Sequence, residues 1–161
     1  MKRLIVMSAI AGSGKSRWAR LYKESHKNVF IVSSDEIRKE LSGVYDDPSH
    51  EKEVWEIYHQ RLEDYPKQKG DLTVIADSTN IVNEYRKNAS KTPGYDEKYL
   101  VLVMKDLDVV FTQNKSRDPA KFVPEDAITR MHNRWEEVDE ETANCFDKVI
   151  YVKGWFDEAK L

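Results

Sequence analysis

A glycine-rich segment near the start of the chain has the residue types and spacing that bind nucleotide phosphates. Residues 9–16 read Ala-Ile-Ala-Gly-Ser-Gly-Lys-Ser. Gly12 and Gly14 let the backbone curl, so that successive N–H groups point at phosphate oxygens. Lys15 can then reach the β- and γ-phosphates of ATP, and the Ser16 hydroxyl can ligate Mg²⁺. The predicted nucleotide-binding residues of this loop are Gly12, Ser13, Gly14, Lys15 and Ser16, with Ser16 as the metal ligand.

A second group of charged residues could serve the molecule that receives a phosphate. Asp35 and Arg38 lie just beyond an apolar run, three residues apart, and therefore on one face of a nascent helix. A carboxylate there is suited to accept a hydroxyl proton, and an arginine beside it is suited to hold a substrate phosphate through two hydrogen bonds. The alternative is structural: Ser34 or Asp35 caps the helix and Arg38 faces solvent.

Two more polar positions extend this pattern. Asp77 directly follows a later apolar run and is expected either to orient Arg38 or to contact the water shell of the metal. Asn80 is a better candidate than Asp77 to cap the helix that follows. Arg117 belongs to the polar stretch 115–123, whose composition suits a mobile basic lid over the phosphates. The alternative for Arg117 is a cation that stabilises the end of a helix.

The elements that position these residues alternate between two hydrophobic periods. Short apolar runs, typical of strands buried on both faces, occupy residues 4–7, 29–32, 72–76, 99–104 and 149–152. Helical patterns separate them, which predicts parallel pairing through right-handed crossovers, with ligands at the carboxyl edge of the sheet. The predicted fold is α/β: a P-loop NTPase/kinase fold with a five-stranded parallel sheet flanked by helices. One domain is expected over residues 1–161, with a small helical lid at about 115–136.

Composition excludes several classes of protein. The 161 residues carry 26 Lys and Arg against 29 Asp and Glu, a formal charge of −3 that argues against non-specific coating of duplex nucleic acid. Cys145 is the only cysteine, so an intrachain disulfide is excluded and a reducing, cytoplasmic compartment is expected. No apolar run is long enough for a membrane span. Residues 1–11 resemble a short signal peptide, but a buried first strand is the preferred interpretation.

Several segments together resemble a known family. Gly-Ser-Gly-Lys-Ser, Ser-Asp-Glu-Ile-Arg, Asp-Ser-Thr-Asn, Asn-Lys-Ser-Arg and Phe-Val-Pro-Glu-Asp are similar, in order and spacing up to about Trp135, to the phage-type polynucleotide 5′-hydroxyl kinase domain. Related P-loop small-molecule kinases and zeta-type toxins carry variants of the second and third segments. The chain departs from the family pattern at Ala9, where an ordinary backbone φ is required, in its low net charge and slightly in the length of the lid.

The resemblance implies a role for each matching residue. The glycine loop would bind Mg·ATP, with Lys15 on the phosphates. Asp35 would be the general base for the acceptor hydroxyl. Arg38 would bind the phosphate next to that hydroxyl, and Asp77 would hold Arg38 in place. Arg117 would be the lid arginine on the transferred phosphate.

Three functions are therefore open. The first is Mg·ATP-dependent phosphoryl transfer to the 5′-hydroxyl of a polynucleotide or a nucleotide-like molecule, and the motif set favours it. The second is a kinase for a small metabolite such as a nucleoside or a sugar, which the net charge slightly favours. The third is a nucleotide-binding switch module, which would need no base such as Asp35. In each, Gly154 is predicted to let the backbone approach the adenine, the alternative being a turn with Trp155 in the core.

Overall fold

A five-stranded sheet forms the centre of the computed structural model, which describes residues 1–153. The strands are β1 (Lys2–Ser8), β2 (Val29–Ser33), β3 (Leu72–Asp77), β4 (Glu97–Val103) and β5 (Lys148–Val152). Their order is β2-β3-β1-β4-β5, and all four neighbouring pairs are parallel. The predicted sheet is confirmed, and the apolar N-terminal run is its central strand. Gly154 and Trp155, predicted to flank the adenine, lie outside the described residues.

Seven α-helices connect the strands within the described part of the chain. They are α1 (Lys15–Ser25), α2 (Ser34–Ser42), α3 (Glu51–Asp64), α4 (Asn83–Ser90), α5 (Leu107–Lys115), α6 (Glu125–Arg134) and α7 (Glu140–Ala143). The short helix α7 was not predicted, although Asp139 caps it by accepting a hydrogen bond from the Thr142 amide at 2.8 Å. None of the helices in residues 1–153 has the length and apolarity that a membrane span requires.

The hydrophobic core explains why β1 lies in the middle. Its residues Leu4, Ile5, Val6 and Met7 are completely buried, because β1 pairs with β3 on one side and β4 on the other. Successive side chains of a strand point to opposite faces. Leu4 and Val6 therefore pack with residues of α2 and α3, whereas Ile5 and Met7 pack with residues of α1. Burying each of these side chains contributes about 1.5–3 kcal/mol, which fixes the strand at the centre.

The strand register brings the predicted site residues to one edge of the sheet. Val6 is opposite Ala76, and Ser33 is opposite Asp77, so β1, β2 and β3 end almost level with one another. The chain leaves β1 into the glycine loop, β2 directly into α2 and β3 into residues 78–82. Three loops with chemically capable residues therefore meet at the carboxyl edge, as expected for an open parallel sheet.

The cap of α2 differs from the expectation. Ser33, the last residue of β2, is the N-cap, and its Oγ accepts a hydrogen bond from the Glu36 amide at 3.2 Å. Neither Ser34 nor Asp35 is the cap, because the helix follows the strand without a connecting residue. The carboxylate of Asp35 is therefore not needed to cap the start of α2.

The prediction that Asn80 caps α4 is also wrong. Val82 occupies the N-cap position without a side-chain hydrogen bond. Asn80 adopts a left-handed backbone conformation, with φ 43°. Its side-chain amide donates to the Met7 carbonyl at 2.9 Å. Asparagine tolerates this conformation better than most residues. Asn80 thus fastens the loop after β3 to the end of β1, directly beneath the glycine loop.

Candidate active site

The glycine loop has the shape that its sequence predicts. Gly12 has φ +84°, and a Cβ atom at this position would lie 3.1 Å from Val110 Cγ1 and 3.3 Å from the Val110 carbonyl oxygen. Gly14 has φ +96° and is the N-cap of α1. Among the described residues only Asn28 and Asn80 combine a side chain with positive φ, so Ala9 has the ordinary φ that its methyl group requires. At position 12 the loop approaches α5 so closely that only glycine fits.

Lys15 and Ser16, the first residues of α1, both contact Asp77 at the end of β3. Lys15 Nζ lies 3.3 Å from Asp77 Oδ1, and Ser16 Oγ donates to Asp77 Oδ2 at 2.9 Å. The prediction that Asp77 holds Arg38 is wrong. β3 is adjacent to β1, so its end faces the start of the helix that follows the glycine loop. The other prediction for Asp77, contact with the water shell of the metal, stays a prediction, and its carboxylate lies next to Ser16, the predicted metal ligand.

The oxygens of this group suit phosphate and magnesium. Ser13 Oγ is buried without a hydrogen-bond partner, which is unusual for a polar atom inside a protein, and Asp77 Oδ1 is buried with the Lys15 ammonium beside it. A hydroxyl and a carboxylate are the hard oxygen donors that Mg²⁺ prefers, and Mg²⁺ at nucleotides needs only one or two protein ligands. In the described part of the chain no three His, Cys, Asp or Glu side chains gather as a metal-binding group.

Asp35 and Arg38 are paired, as their spacing predicts, and a third residue joins them. Arg38 Nη1 donates to Asp35 Oδ1 at 2.6 Å. Arg38 Nε and Nη2 donate to Glu51 Oε2 and Oε1 at 2.8 and 2.7 Å. The hydrogen bonds to Glu51 raise the pKa of the Arg38 guanidinium. Arg38 is therefore held by one carboxylate from its own helix and one from the start of α3.

Arg117 lines an open cleft together with Gly12, Gly14 and Lys15. It follows the end of α5, and its Nη1 is buried without a hydrogen-bond partner. Burial lowers the pKa of the guanidinium, while the negative charges of Asp35 and Asp77 act in the opposite direction. The placement of Arg117 over the phosphates stays a prediction.

An open cleft of about 580 Å³ lies above the glycine loop. Its floor is formed by the loop and the first turns of α1, and its wall by α5 and the predicted lid. Basic side chains dominate the lining, which suits a polyphosphate. The lining includes Lys15, Arg17, Arg20, Arg117 and Lys121.

The predicted lid segment is fastened at its base and touches the opposite rim. The buried side chain of Asn114 donates to the Val123 carbonyl at 2.6 Å and accepts from the Val123 amide at 3.0 Å. Lys121 Nζ lies 3.7 Å from Glu36 Oε1 and 5.1 Å from the centre of the Tyr45 ring. The segment between α5 and α6 is therefore a closed loop whose tip reaches α2 and the residues that follow it.

Arg86 is the main supporting residue beneath the site that the sequence did not reveal. It is completely buried on α4, and burial lowers the pKa of its guanidinium. Its nitrogens donate to Ser8 Oγ, Asn83 Oδ1 and the carbonyls of Asn80, Ile81 and Glu136 at 2.7 to 3.3 Å. The guanidinium also lies 4.7 Å from the centre of the Trp135 ring. Arg86 therefore joins the end of β1, the loop after β3 and the end of the predicted lid.

Two residues of the site had no usable signal in the sequence. Glu51 looks like an ordinary acidic residue at the start of a helix, and its partner Arg38 lies thirteen positions away. Arg86 looks like a solvent-exposed arginine in a polar helix. The Asn-Lys-Ser-Arg segment drew attention to Arg117, but not to the part that Asn114 has in closing the lid.

The strand order, the glycine loop at the end of the central strand and the charged residues after its neighbours define the P-loop NTPase/kinase fold. The chain belongs to the AAA_33 family, described as an AAA domain, whose family model matches residues 4–138. No curated protein sequence matches it significantly.

Solved structures share this fold at low sequence identity. A gluconokinase from Sinorhizobium meliloti 1021 matches with a TM-score of 0.63 and 17% identity, over 97% of this chain and 86% of that one. Kti12 from Chaetomium thermophilum, in complex with ADP-AlF3, matches with a TM-score of 0.68 and 17% identity, over 97% and 92%. A chain of the Pnkp1/Rnl/Hen1 RNA repair complex matches with a TM-score of 0.69 and 18% identity, over 91% of this chain but 46% of that one.

Proposed function

We propose that this protein is a Mg·ATP-dependent kinase that transfers a phosphoryl group to an alcohol hydroxyl. The observation that carries the proposal is the position of Arg117. Arg117 lines the same cleft as the glycine loop, Lys15 and Ser16, and its Nη1 is buried without a hydrogen-bond partner. A partly buried cation in the wall of this cleft is suited to stabilise the negative charge on a transferred phosphoryl group.

In the proposed reaction the acceptor hydroxyl oxygen attacks the γ-phosphorus of ATP. Its proton passes to Asp35, the new O–P bond forms, and the bond to the β–γ bridging oxygen breaks, so that ADP leaves with the electron pair. Arg38 holds one oxygen of Asp35 and leaves Oδ2 for the proton. Lys15 and Arg117 would stabilise the charge on the phosphates. Bound Mg²⁺ would neutralise phosphate charge, with Ser16 as its ligand and Asp77 beside it.

The first candidate acceptor is the 5′-hydroxyl of a polynucleotide or a nucleotide-like molecule. The motif resemblance supports it, because the Asp35–Arg38 pair would place a phosphate next to the reacting hydroxyl. The shared fold with the Pnkp1 complex is compatible with it. We also propose a cytoplasmic location, since the free Cys145 suits a reducing compartment.

A small uncharged acceptor, such as a nucleoside or a sugar, is the second candidate, and one contact favours it. The two nitrogens of Arg38 that would bind a phosphate side by side both donate to Glu51. An acceptor without an anion would leave this contact in place.

Transfer of labelled phosphate from ATP tests the function. The acceptors would be a 5′-hydroxyl oligonucleotide, nucleosides and sugars. We expect transfer to at least one acceptor by the natural protein, and a decrease in kcat of about 10²-fold or more in Asp35→Asn, because asparagine cannot accept the proton. The affinity for ATP should change less than about twofold, since Asp35 does not contact the glycine loop.

Asp46→Asn is the matched control, because Asp46 is an exposed aspartate on the loop after α2. It should keep the full rate. A natural protein that binds ATP but labels none of the acceptors contradicts the kinase proposal. An Asp35→Asn variant with an undiminished rate contradicts the mechanism.

A further inference from the structure

The guanidinium of Arg38 has one edge suited to planar anions, and this edge is already occupied. Nε and Nη2 form two parallel hydrogen bonds, of 2.8 and 2.7 Å, with the two oxygens of Glu51. The same edge of an arginine binds phosphates and carboxylates bidentately. Glu51 therefore lies where an anion of an acceptor molecule would bind if Arg38 were to hold it.

Both oxygens of the Glu51 carboxylate accept hydrogen bonds from Arg38. Glu51 is the first residue of α3, and the N-cap of that helix is His50, which makes no side-chain cap hydrogen bond. The side chain of Glu51 is 40% exposed, whereas that of Arg38 is 14% exposed. The carboxylate of Glu51 is thus within reach of solvent, while its partner is fixed between α2 and α3.

The charges around Arg38 oppose a second anion. One guanidinium faces two carboxylates, Asp35 and Glu51, so these three groups together carry a net charge of −1. An anionic acceptor would need to replace two charge-assisted hydrogen bonds and to approach two like charges. An uncharged acceptor needs only to place its hydroxyl near Asp35, and the Arg38–Glu51 contact remains intact.

We propose that Glu51 is a specificity-determining residue of the acceptor site. By occupying the two-nitrogen edge of Arg38, it weakens the binding of acceptors that carry an anion next to the reacting hydroxyl, and it thereby favours uncharged acceptors. This inference rests on the proposed kinase function for its consequence in catalysis. The competition between Glu51 and an acceptor anion for Arg38 can be measured without any turnover.

Measurements of acceptor binding test the proposed role of Glu51. The probe is adenosine 3′-phosphate, which carries a free 5′-hydroxyl and a phosphate, compared with adenosine, which lacks the phosphate. We expect Glu51→Ala to bind adenosine 3′-phosphate about tenfold or more tightly than the natural protein does, as measured by titration calorimetry, because the arginine fork becomes available. Adenosine should bind with nearly unchanged affinity. Glu51→Gln, which removes the charge but keeps the shape, should give a smaller gain of the same sign.

Glu53→Ala is the matched control, because Glu53 lies in the same first turn of α3 and does not contact Arg38. It loses the same helix-terminal charge and should show no gain. The double variant with Arg38→Ala and Glu51→Ala should lose the gain that Glu51→Ala produces, since the gain acts through Arg38. Circular dichroism would confirm that each variant is folded.

Transfer rates extend the test to catalysis. The ratio of kcat/KM for adenosine 3′-phosphate to that for adenosine should rise about tenfold in Glu51→Ala, through a lower KM for the phosphorylated acceptor. If both Glu51 variants are folded and bind the phosphorylated probe no more tightly than the natural protein, the inference is overturned. If the binding gain is present but no variant transfers phosphate, the competition at Arg38 stands and the proposed kinase function fails.

Discussion

Lys15 and Asp77 expose 10% and 3% of their side chains, whereas Asp35 and Glu51 expose 47% and 40%. The first pair lies on the nucleotide side, where the ends of two adjacent central strands fix the positions. The second pair lies on the acceptor side, where two helices joined by residues 43–50 contribute one carboxylate each. Backbone geometry therefore builds the nucleotide side, and side chains at half-exposed positions build the acceptor side.

This difference indicates where the chain can change without losing its fold. A substitution on the nucleotide side alters buried contacts between β1, β3 and α1, so we expect it to affect every activity at once. A substitution on the acceptor side alters a few partly exposed hydrogen bonds, so we expect it to change which acceptor is used.

The largest effect is expected from Lys15→Ala. In the proposed mechanism the ammonium group would contact the phosphates during transfer, and single contacts of this kind contribute about 10²–10³ in kcat. We expect a decrease of at least this size, with the fold retained, because Ser16 still donates to Asp77. Ser16→Ala should be similarly impaired. Lys52→Ala, at an exposed position on α3, is the control. A folded Lys15→Ala protein with near-normal kcat would remove the ATP site from this loop.

The next effect concerns the support beneath the nucleotide side. Arg86→Met should lower the free energy of unfolding by about 3 kcal/mol or more, since it leaves several buried acceptors without a donor. Urea unfolding measures the change. Arg130→Met, at an exposed arginine of α6, should stay within about 0.5 kcal/mol of the natural protein. A small loss in Arg86→Met would show that the buried hydrogen bonds are not the main support of this side.

A smaller effect tests whether the nucleotide side and the acceptor side are energetically independent. Asp77 and Arg38 do not contact each other, so the changes in unfolding free energy from Asp77→Ala and Arg38→Ala should add to within about 0.5 kcal/mol. Arg38→Ala and Glu51→Ala should instead show a coupling of about 1 kcal/mol, because solvent screening at Glu51 weakens a well-aligned pair. Strong coupling between Asp77 and Arg38 would restore the pairing that the family resemblance implies.

The smallest effect tests the cap of α2. Ser33→Ala should lower the free energy of unfolding by about 1 kcal/mol, which is typical for the loss of an N-cap oxygen. Asp35→Asn should lower it by less, about 0.5 kcal/mol, because Asp35 is not the cap and its ion pair with Arg38 is partly exposed. Thermal unfolding of both variants checks this. If Asp35→Asn is the less stable of the two, the carboxylate is structural, and its proposed part in proton transfer loses its support.

The sequence predicted the sheet, the glycine loop and the pairing of Asp35 with Arg38 because each depends on local patterns. Apolar runs mark strands, positive φ selects glycine, and a spacing of three places two residues on one helical face. Glu51 and Arg86 could not be found in this way. Their contacts join elements far apart in the chain, and only the packing of α3 on α2 and of α4 beneath β1 brings them to their partners.

The same limit explains the incorrect prediction for Asp77. Its position at the end of β3 was recognised, but its neighbour depends on the strand order. With β3 between β2 and β1, the carboxylate has Arg38 on one side and the glycine loop on the other. Lys15 and Ser16 contact the Asp77 carboxylate, while Arg38 donates its hydrogen bonds to Asp35 and Glu51. Which of two adjacent loops a strand-end residue contacts is a tertiary fact that no local pattern contains.

The position of β1 between β3 and β4 has a consequence for the order of assembly during synthesis. Lys2 pairs with Leu72, and Arg3 pairs with Glu97, so β1 finds its hydrogen-bonding partners only after these later strands have left the ribosome. Contacts between residues so far apart close large loops and form slowly. The segment that would bind ATP is therefore translated before the strands that hold it in its working shape. Until then its apolar strand is exposed to chaperones and to aggregation.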